Sequence, residues 1–202
     1  MKLYLADISG FSQLEGLELL YDERRRRLEK YNIMEDKQRC LVAGLLLRYA
    51  LGDSVHRIHY GDRGKPYLPD GPCFSLSHSG NYVVLALAEY DIGVDIEKLG
   101  EYKEKLARRC CTEDEFLWLQ GRDKADFYYL WTGKEAVMKA TGLGFALPAH
   151  SFSVLPLHNG PHTVNDMCWH LGWHALEGYA LCTACRKDEE GELVLLTKDV
   201  LL

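Results

Sequence analysis

The stretch from Phe74 to Glu97 constrains the fold most, because it fixes which side chains share a face of a β-sheet. It reads FSLSHSGNYVVLALAEYDIGVDIE, which predicts two strands around a Ser-Gly-Asn turn and a third strand ending in GVDIE. Side chains two residues apart point to the same face of a strand. Asp95 and Glu97 should therefore project together, while Val94 and Ile96 face the core.

This pair of neighbouring carboxylates suggests a bound cation. Two such groups repel each other, and each raises the pKa of the other unless a positive charge lies between them. Mg²⁺ binds oxygen ligands and usually keeps positions for water and for substrate phosphate. An isolated Asp-x-Glu pair is more often an exposed strand end, so the pair alone leaves both interpretations open.

A second segment, WTGKEAVMK, supplies a third carboxylate on a predicted helix that runs from Phe127 to Ala140. Glu135 and Lys139 are four residues apart and share a face of this helix, and Lys134 is adjacent. An ordinary surface ion pair is the alternative interpretation. Taken together, three carboxylates with lysines close by predict a divalent cation that neutralises a phosphate-rich ligand.

Three segments, in this order and at these distances, resemble the motifs of the 4'-phosphopantetheinyl transferases, in the larger Sfp-type branch. They are GKPYLPDGPCFSLSHSG (64–80), GVDIE (93–97) and WTGKEAVMKATGLG (131–144). The resemblance covers essentially the whole chain and is weakest after Leu155. It implies that the 4'-phosphopantetheine arm of coenzyme A is transferred to a serine of an apo acyl, peptidyl or aryl carrier protein. Adenosine 3',5'-bisphosphate would be released, with Mg²⁺ as cofactor and coenzyme A as substrate.

The resemblance also implies a fold. It predicts an α+β protein with two similar α/β halves that are related by a pseudo-twofold axis. The halves would comprise residues 1–100 and 101–202, with the active site in the cleft between them. The residue pattern by itself indicates only the α+β class.

Individual roles follow from the same resemblance. Metal ligands would be Asp95, Glu97 and Glu135, and the catalytic residues would be Glu135 and Lys139. Because the residue between the two strand acids is Ile96, water is expected to complete the coordination. The base that takes the serine proton stays open between Glu135, a remaining metal position and a bound water. Coenzyme A would contact Arg24, Arg27, Lys65, Ser77, His78, Lys134 and Lys139.

Length, charge and cysteine content exclude some classes of partner and indicate the compartment. A chain of 202 residues is long enough for a sizeable core, and its net charge of −6 does not suit a general nucleic-acid binder. No apolar run approaches the roughly 20 residues of a membrane span, and the N-terminus does not read as a signal peptide. Seven cysteines without a secretion signal favour a cytoplasmic protein, which we expect to be a monomer. Local basic residues between Lys98 and Arg109 would have to steer an acidic carrier.

Other functions stay open on the sequence alone. A degenerate relative would bind coenzyme A or a carrier protein without transfer, although all three acids and the lysines are present. A metal phosphohydrolase would release pantetheine phosphate to water. The C-x-x-C pair of Cys182 and Cys185 is a candidate zinc motif, but it lies in an apolar run that predicts a buried strand.

The remaining periodicity and turn signals predict further elements. These are helices over 14–31 and 34–51, a short strand over 54–60, a linker over 98–109, a helix from a capping box at Thr112 to Gln120, and strands over 167–176, 178–185 and 193–201.

Overall fold

Ten strands and six α-helices make up the computed structural model, which describes all 202 residues. The mixture of helices with mainly antiparallel sheets confirms the predicted α+β class. The strands are β1 Lys2–Asp7, β2 His59–Tyr60, β3 Pro66–Tyr67, β4 Cys73–Ser79, β5 Tyr82–Ala88, β6 Ile92–Lys98, β7 Gly160–Val164, β8 Met167–Leu176, β9 Tyr179–Cys185 and β10 Glu192–Leu196. The helices are α1 Asp22–Leu28, α2 Met34–Leu51, α3 Glu104–Cys110, α4 Glu113–Trp118, α5 Ala125–Thr141 and α6 Lys198–Leu201.

The first sheet has the strand order β10-β1-β5-β4 and packs against α2. The helix has the predicted bounds and ends at Gly52, whose positive φ of 55° suits a residue without a Cβ. The side chains of Leu41, Leu45 and Leu46 on its inner face are fully buried against the sheet, whereas Tyr49 is exposed. β1 pairs in parallel with β10 and antiparallel with β5.

The second sheet has the order β6-β9-β8-β7 and is antiparallel throughout. Its long helix is α5, which packs on β6 and β9. A third core lies where the two sheets meet, and it contains Val94 and Ile96 together with Leu3 and Val84. The prediction that Val94 and Ile96 face the core is confirmed, so Asp95 must project from the opposite face.

The two sheets do not divide at residue 100. β6 precedes that position but belongs to the second sheet, and β10 returns from the end of the chain to the first. Each sheet nevertheless carries one long helix, α2 or α5. The edge strands β4 and β6 lie side by side, and this junction is where the functional side chains collect.

Four predicted elements need correction. Residues 54–60 form a 3₁₀ helix, Gly52–Arg57, and the two-residue strand β2. The helix predicted over 14–31 is confined to α1, because Gly16 turns the chain with a φ of 88°. The linker contains α3, and the last predicted strand stops at Leu196 because Thr197 is the N-cap of α6. The capping box of Thr112 and Glu115 is confirmed.

No helix combines the length and the apolar character needed to cross a bilayer.

Candidate active site

A cavity of about 400 Å³ lies between β4, β6 and α5 and extends to α1. All the predicted site residues except Lys65 and Lys134 line it. Six further residues complete the lining, among them two aromatic side chains that the sequence did not single out for the site, Tyr60 and Trp131. The predicted members are Arg24, Arg27, Ser77, His78, Asp95, Glu97, Glu135 and Lys139.

Asp95 is buried at the floor of this cavity, with 4% of its surface exposed. Its Oδ1 atom accepts hydrogen bonds from Ser77 Oγ and Lys139 Nζ, both at 2.7 Å. The Ser77 hydroxyl also accepts a hydrogen bond from Lys139 at 2.9 Å, so these three side chains form one network. Asp95 Oδ2 is buried and has no hydrogen-bond partner. A buried carboxylate oxygen without a partner is costly, and a cation would satisfy it.

The other two carboxylates are half-buried beside Asp95. Glu97 accepts a hydrogen bond from Ser79 Oγ at 2.7 Å. Burial, and then the negative charge of Asp95, raise the pKa of Glu97. Burial followed by the charges of Asp95 and Glu97 raises the pKa of Glu135 to about 7, and only Lys139 opposes this effect. The cavity therefore holds more negative charge than its own lysine neutralises.

This donor set fits a hard divalent cation such as Mg²⁺. All three groups are carboxylates, one oxygen is buried without a partner, and burial together with neighbouring negative charge raises the pKa values of Glu97 and Glu135, an effect that a cation would relieve. The side chains share one cavity, although no three acidic, histidine or cysteine side chains are already gathered closely enough to enclose an ion. The Lys139 ammonium holds the position next to Asp95 instead.

The opposite end of the cavity is cationic. Arg24 is only 6% exposed, yet it takes part in none of the salt bridges of the protein, and its Nε has no hydrogen-bond partner. Arg27 lies one helical turn away and is exposed. Burial, and then the positive charges of Arg39 and Lys139, lower the pKa of His78. A buried guanidinium without an acid partner is suited to an anionic ligand.

Lys65 lies outside this cavity. Its ammonium donates to the carbonyl oxygens of Ile92, at 3.3 Å, and Ala140, at 3.0 Å. It lines an adjacent cavity of about 230 Å³ that it shares with Lys139. The loop before β3 thus directs Lys65 to the end of α5. Lys65 does not line the main cavity, where the predicted contact with coenzyme A would lie.

The prediction that Lys134 contacts coenzyme A is corrected by its burial. The side chain is inaccessible, and its ammonium forms a salt bridge of 2.7 Å with the equally buried Glu115. It also donates to the carbonyl oxygens of Ala149 and Phe152. Consecutive residues of a helix are separated by about 100° around its axis, so Lys134 faces the protein interior while Glu135 faces the cavity.

Tyr60 and Trp131 line the cavity although the sequence did not reveal them. The Tyr60 hydroxyl donates to Glu23 at 2.9 Å, which places the phenol beside the α1 arginines. Trp131 lies four residues before Glu135 and thus on the same face of α5. The four-residue spacing from Glu135 could have predicted that Trp131 lies at the site, whereas no sequence pattern indicates this for Tyr60.

Known proteins resemble this chain in sequence. The model of the 4'-phosphopantetheinyl transferase superfamily matches residues 91–184. The 4'-phosphopantetheinyl transferase Sfp of Bacillus subtilis (strain 168) is 31% identical over 199 residues, which cover 89% of this chain and 88% of that protein. The 4'-phosphopantetheinyl transferase ffp of Bacillus subtilis is 32% identical over 205 residues, with the same coverage of 89% and 88%.

Other matches cover a smaller part of this chain. A protein of Synechocystis sp. (strain ATCC 27184 / PCC 6803 / Kazusa), named as a putative 4'-phosphopantetheinyl transferase, is 37% identical over 145 residues, or 63% of this chain and 59% of that one. Among solved structures, a holo-[acyl-carrier-protein] synthase of Thermotoga maritima superposes with a TM-score of 0.33 and 18% identity, over 50% of this chain and 64% of that one. On the extent of the Bacillus matches, the chain belongs to the 4'-phosphopantetheinyl transferase superfamily, which confirms the resemblance seen in its motifs.

Proposed function

We propose that this protein transfers the 4'-phosphopantetheine arm of coenzyme A to a serine side chain of an apo carrier protein and releases adenosine 3',5'-bisphosphate. One observation carries the proposal. A single cavity has three carboxylates at one end and a buried arginine without an acid partner at the other. This charge pattern matches a ligand with a diphosphate, where a cation is needed, and with further phosphate at its nucleotide end.

The cationic end is proposed to bind the nucleotide phosphates. Arg24 and Arg27 are three residues apart in α1, and both line the cavity. Guanidinium groups donate several hydrogen bonds in a fixed planar arrangement that suits phosphate. His78 would add a neutral N–H donor at the end of β4, because its pKa is lowered. Ser77 lies at the acidic end instead, since its hydroxyl bonds to Asp95 and Lys139.

The acidic end is proposed to hold Mg²⁺ through Asp95, Glu97 and Glu135, with water completing the coordination because Ile96 offers no ligand. When bound, the ion would supply positive charge to the diphosphate oxygens. Lys139 would contribute a second positive charge, because it lies in the same cavity and already pairs with Asp95. Both effects stabilise negative charge that develops on the departing phosphate.

The transfer replaces the phosphoanhydride bond of coenzyme A with a phosphodiester bond to the carrier serine. The serine hydroxyl of the carrier forms a bond to the phosphorus that bears the pantetheine arm, and the bond from this phosphorus to the bridging oxygen of the diphosphate breaks. The electron pair of the broken bond leaves with adenosine 3',5'-bisphosphate. The serine proton passes to Glu135 or to a water beside it.

The carrier protein is proposed to dock next to the end of β6. Lys98, Lys103, Lys105 and Arg109 are exposed there, on β6 and at α3. None of these four forms a salt bridge, whereas Arg108 pairs with Glu104 at 2.7 Å. Since the whole chain has a net charge of −6, such a local basic surface is what would attract an acidic partner.

We further propose that the protein is a cytoplasmic monomer built from two halves with internal pseudo-symmetry. All seven cysteines are free thiols, and five of them are buried, which suits a reducing compartment. The two four-stranded sheets, each with one long helix, support the internal similarity. The cavity uses residues from both sheets, in agreement with a site between the halves.

Mass spectrometry of an apo carrier protein incubated with this protein, coenzyme A and Mg²⁺ tests the proposal. The mass of the phosphopantetheine arm should appear on the carrier serine and should be lost when that serine is replaced by alanine. Coenzyme A binding without any mass gain, across a panel of fatty-acid, polyketide and nonribosomal-peptide carriers, would favour a non-catalytic binding module. Release of pantetheine phosphate without a carrier would identify a phosphohydrolase instead.

A further inference from the structure

The two sheets are joined at their edges by serine side chains. β4 ends the first sheet and β6 ends the second, and the two strands are neighbours without any backbone hydrogen bond between them. Three hydroxyls at alternate positions of β4 cross the gap. We call Ser75, Ser77 and Ser79 the serine seam.

Each member of the seam contacts β6 differently. Ser75 Oγ accepts a hydrogen bond from the Val94 N–H at 3.1 Å and touches no carboxylate. Ser79 Oγ accepts from the Lys98 N–H at 3.0 Å and also donates to Glu97 Oε2 at 2.7 Å. The difference comes from β6, because the residue before Val94 is glycine whereas the residue before Lys98 is Glu97.

Ser79 is a rigid support for this contact, because the turn that follows it is held from three sides. Arg39 Nη1 donates to the Gly80 carbonyl at 2.8 Å. The Asn81 N–H donates to the Tyr179 hydroxyl at 3.1 Å, and its carbonyl accepts from the Ile8 N–H at 2.8 Å. Gly80 has a positive φ of 53°, and a Cβ there would lie 2.4 Å from the Tyr179 hydroxyl oxygen, so the turn accepts no other residue without movement.

We propose that Ser79 is a positioning residue that holds the Glu97 carboxylate in the direction required of a metal ligand. The proposal rests on the cation site described under the proposed function. Glu97 is half-buried near the end of its strand, and its long side chain has rotamers that point to solvent. One hydroxyl fixed to the β6 backbone selects the rotamer that faces Asp95. Hydrogen-bond partners of metal ligands typically contribute about 10- to 100-fold to metal affinity.

The test measures Mn²⁺ affinity directly, by titration calorimetry and by the electron paramagnetic resonance signal of free Mn²⁺, on protein without coenzyme A or carrier. Ser79→Ala should weaken binding by about 10- to 100-fold, and Ser79→Thr, which keeps the hydroxyl, should restore it. Ser75→Ala is the matched control: it removes the other backbone contact of the seam, so it should lower the melting temperature without weakening Mn²⁺ binding. Ser79→Cys replaces the hydroxyl with a thiol, which is a weaker donor of similar size, and this variant should bind Mn²⁺ with intermediate affinity. If Ser79→Ala does not fold, the Mn²⁺ affinity of Ser79→Cys tests the proposal in its place.

Two results would overturn the proposal. One is Mn²⁺ affinity of Ser79→Ala, or of Ser79→Cys in its place, equal to that of the unmodified protein. The other is a loss of Mn²⁺ affinity in Ser75→Ala equal to that in Ser79→Ala, which would show that the serine seam only supports the structure. Unmodified protein that binds Mn²⁺ but transfers nothing would refute the proposed function and leave the role of Ser79 to be judged on these affinities. Unmodified protein that binds no Mn²⁺ would refute both.

Discussion

Gly93 of β6 and Ala136 of α5 are in direct backbone contact. A Cβ built on Gly93 would lie 1.9 Å from the carbonyl oxygen of Ala136 and 2.5 Å from the amide nitrogen of Ala140. The absence of a side chain at Gly93 therefore lets the helix lie on the strand. This close approach brings Glu135 and Lys139 into the same cavity as Asp95.

Gly93→Ala should both destabilise the protein and abolish transfer, because the obstructing atoms belong to the helix backbone and cannot rotate away. Forcing extra atoms into a packed core lowers the free energy of unfolding by about 1–3 kcal/mol. Because the collision at Gly93 is with backbone atoms, we expect a loss at or above the upper end of this range. Denaturant unfolding measures the loss. Gly100→Ala is the control, since its nearest neighbour would lie 3.7 Å away and its stability should be unchanged. A Gly93→Ala protein of normal stability would show that α5 does not depend on this contact.

Glu135→Gln should leave the protein folded while transfer falls by at least about a thousandfold. Charge stabilisation by a bound metal is worth several kcal/mol, and each 1.36 kcal/mol is tenfold in rate. Asp95→Ala should have the same effect on transfer. Product formation with saturating Mg²⁺ provides the measurement, and Glu89→Gln, at an exposed position, should keep full activity. Near-normal turnover of either site variant would exclude the three-carboxylate site.

The metal-free protein should lose stability as the pH rises from about 5 to 8. Burial and neighbouring negative charge raise the pKa of Glu135 to about 7 in the folded protein, above its ordinary value of 4.5. Between these two values the folded state binds more protons than the unfolded state, so the free energy of unfolding decreases with rising pH. Above about pH 8 both states are deprotonated at this group, and the penalty stays constant.

Melting temperatures in a chelating buffer test this expectation. Glu135→Gln should flatten the decrease, and excess Mg²⁺ should stabilise the unmodified protein more at pH 8 than at pH 6. A melting temperature of the metal-free protein that rises steadily over this range would contradict the raised pKa.

Lys134→Met should destabilise the protein by about 3–5 kcal/mol, because it leaves the buried carboxylate of Glu115 without its partner. The folded fraction should keep an unchanged KM for coenzyme A, since Lys134 does not line the cavity. Lys134→Met combined with Glu115→Gln should recover part of the stability, because the amide carries no charge. Its single oxygen still accepts from one of the two N–H groups, Thr112 or Val154, that bond to separate oxygens of the carboxylate. A raised KM at normal stability would return Lys134 to the binding site.

Arg24→Met should raise the KM for coenzyme A by at least about tenfold, because hydrogen bonds to charged groups contribute about 1.5–3 kcal/mol. The protein without ligand should be no less stable, since the change removes a buried charge that has no acid partner. Steady-state kinetics and thermal melting give the two readouts. Arg26→Met, an exposed neighbour that does not line this cavity, should have a much smaller effect on KM. Equal effects of the two variants would argue against a phosphate site at Arg24.

The parts of the site that could be predicted were those with a local geometric rule. The i, i+2 rule for strands placed Asp95 and Glu97 on one face, and the i, i+4 rule for helices grouped Glu135 with Lys139. Lys134 could not be assigned in this way, because its partner Glu115 belongs to a different helix and its direction depends on tertiary packing. The pairing of β10 with β1 was equally hidden, since no local pattern encodes which distant strand lies alongside.

That pairing has a consequence for how the chain is made. The sheet that begins at Lys2 receives its outer parallel strand only from Glu192–Leu196. During synthesis, β1 therefore waits with one edge open until residues 192–196 have emerged from the ribosome. Contacts between such distant segments form slowly, so completion of the first sheet is a late event in folding.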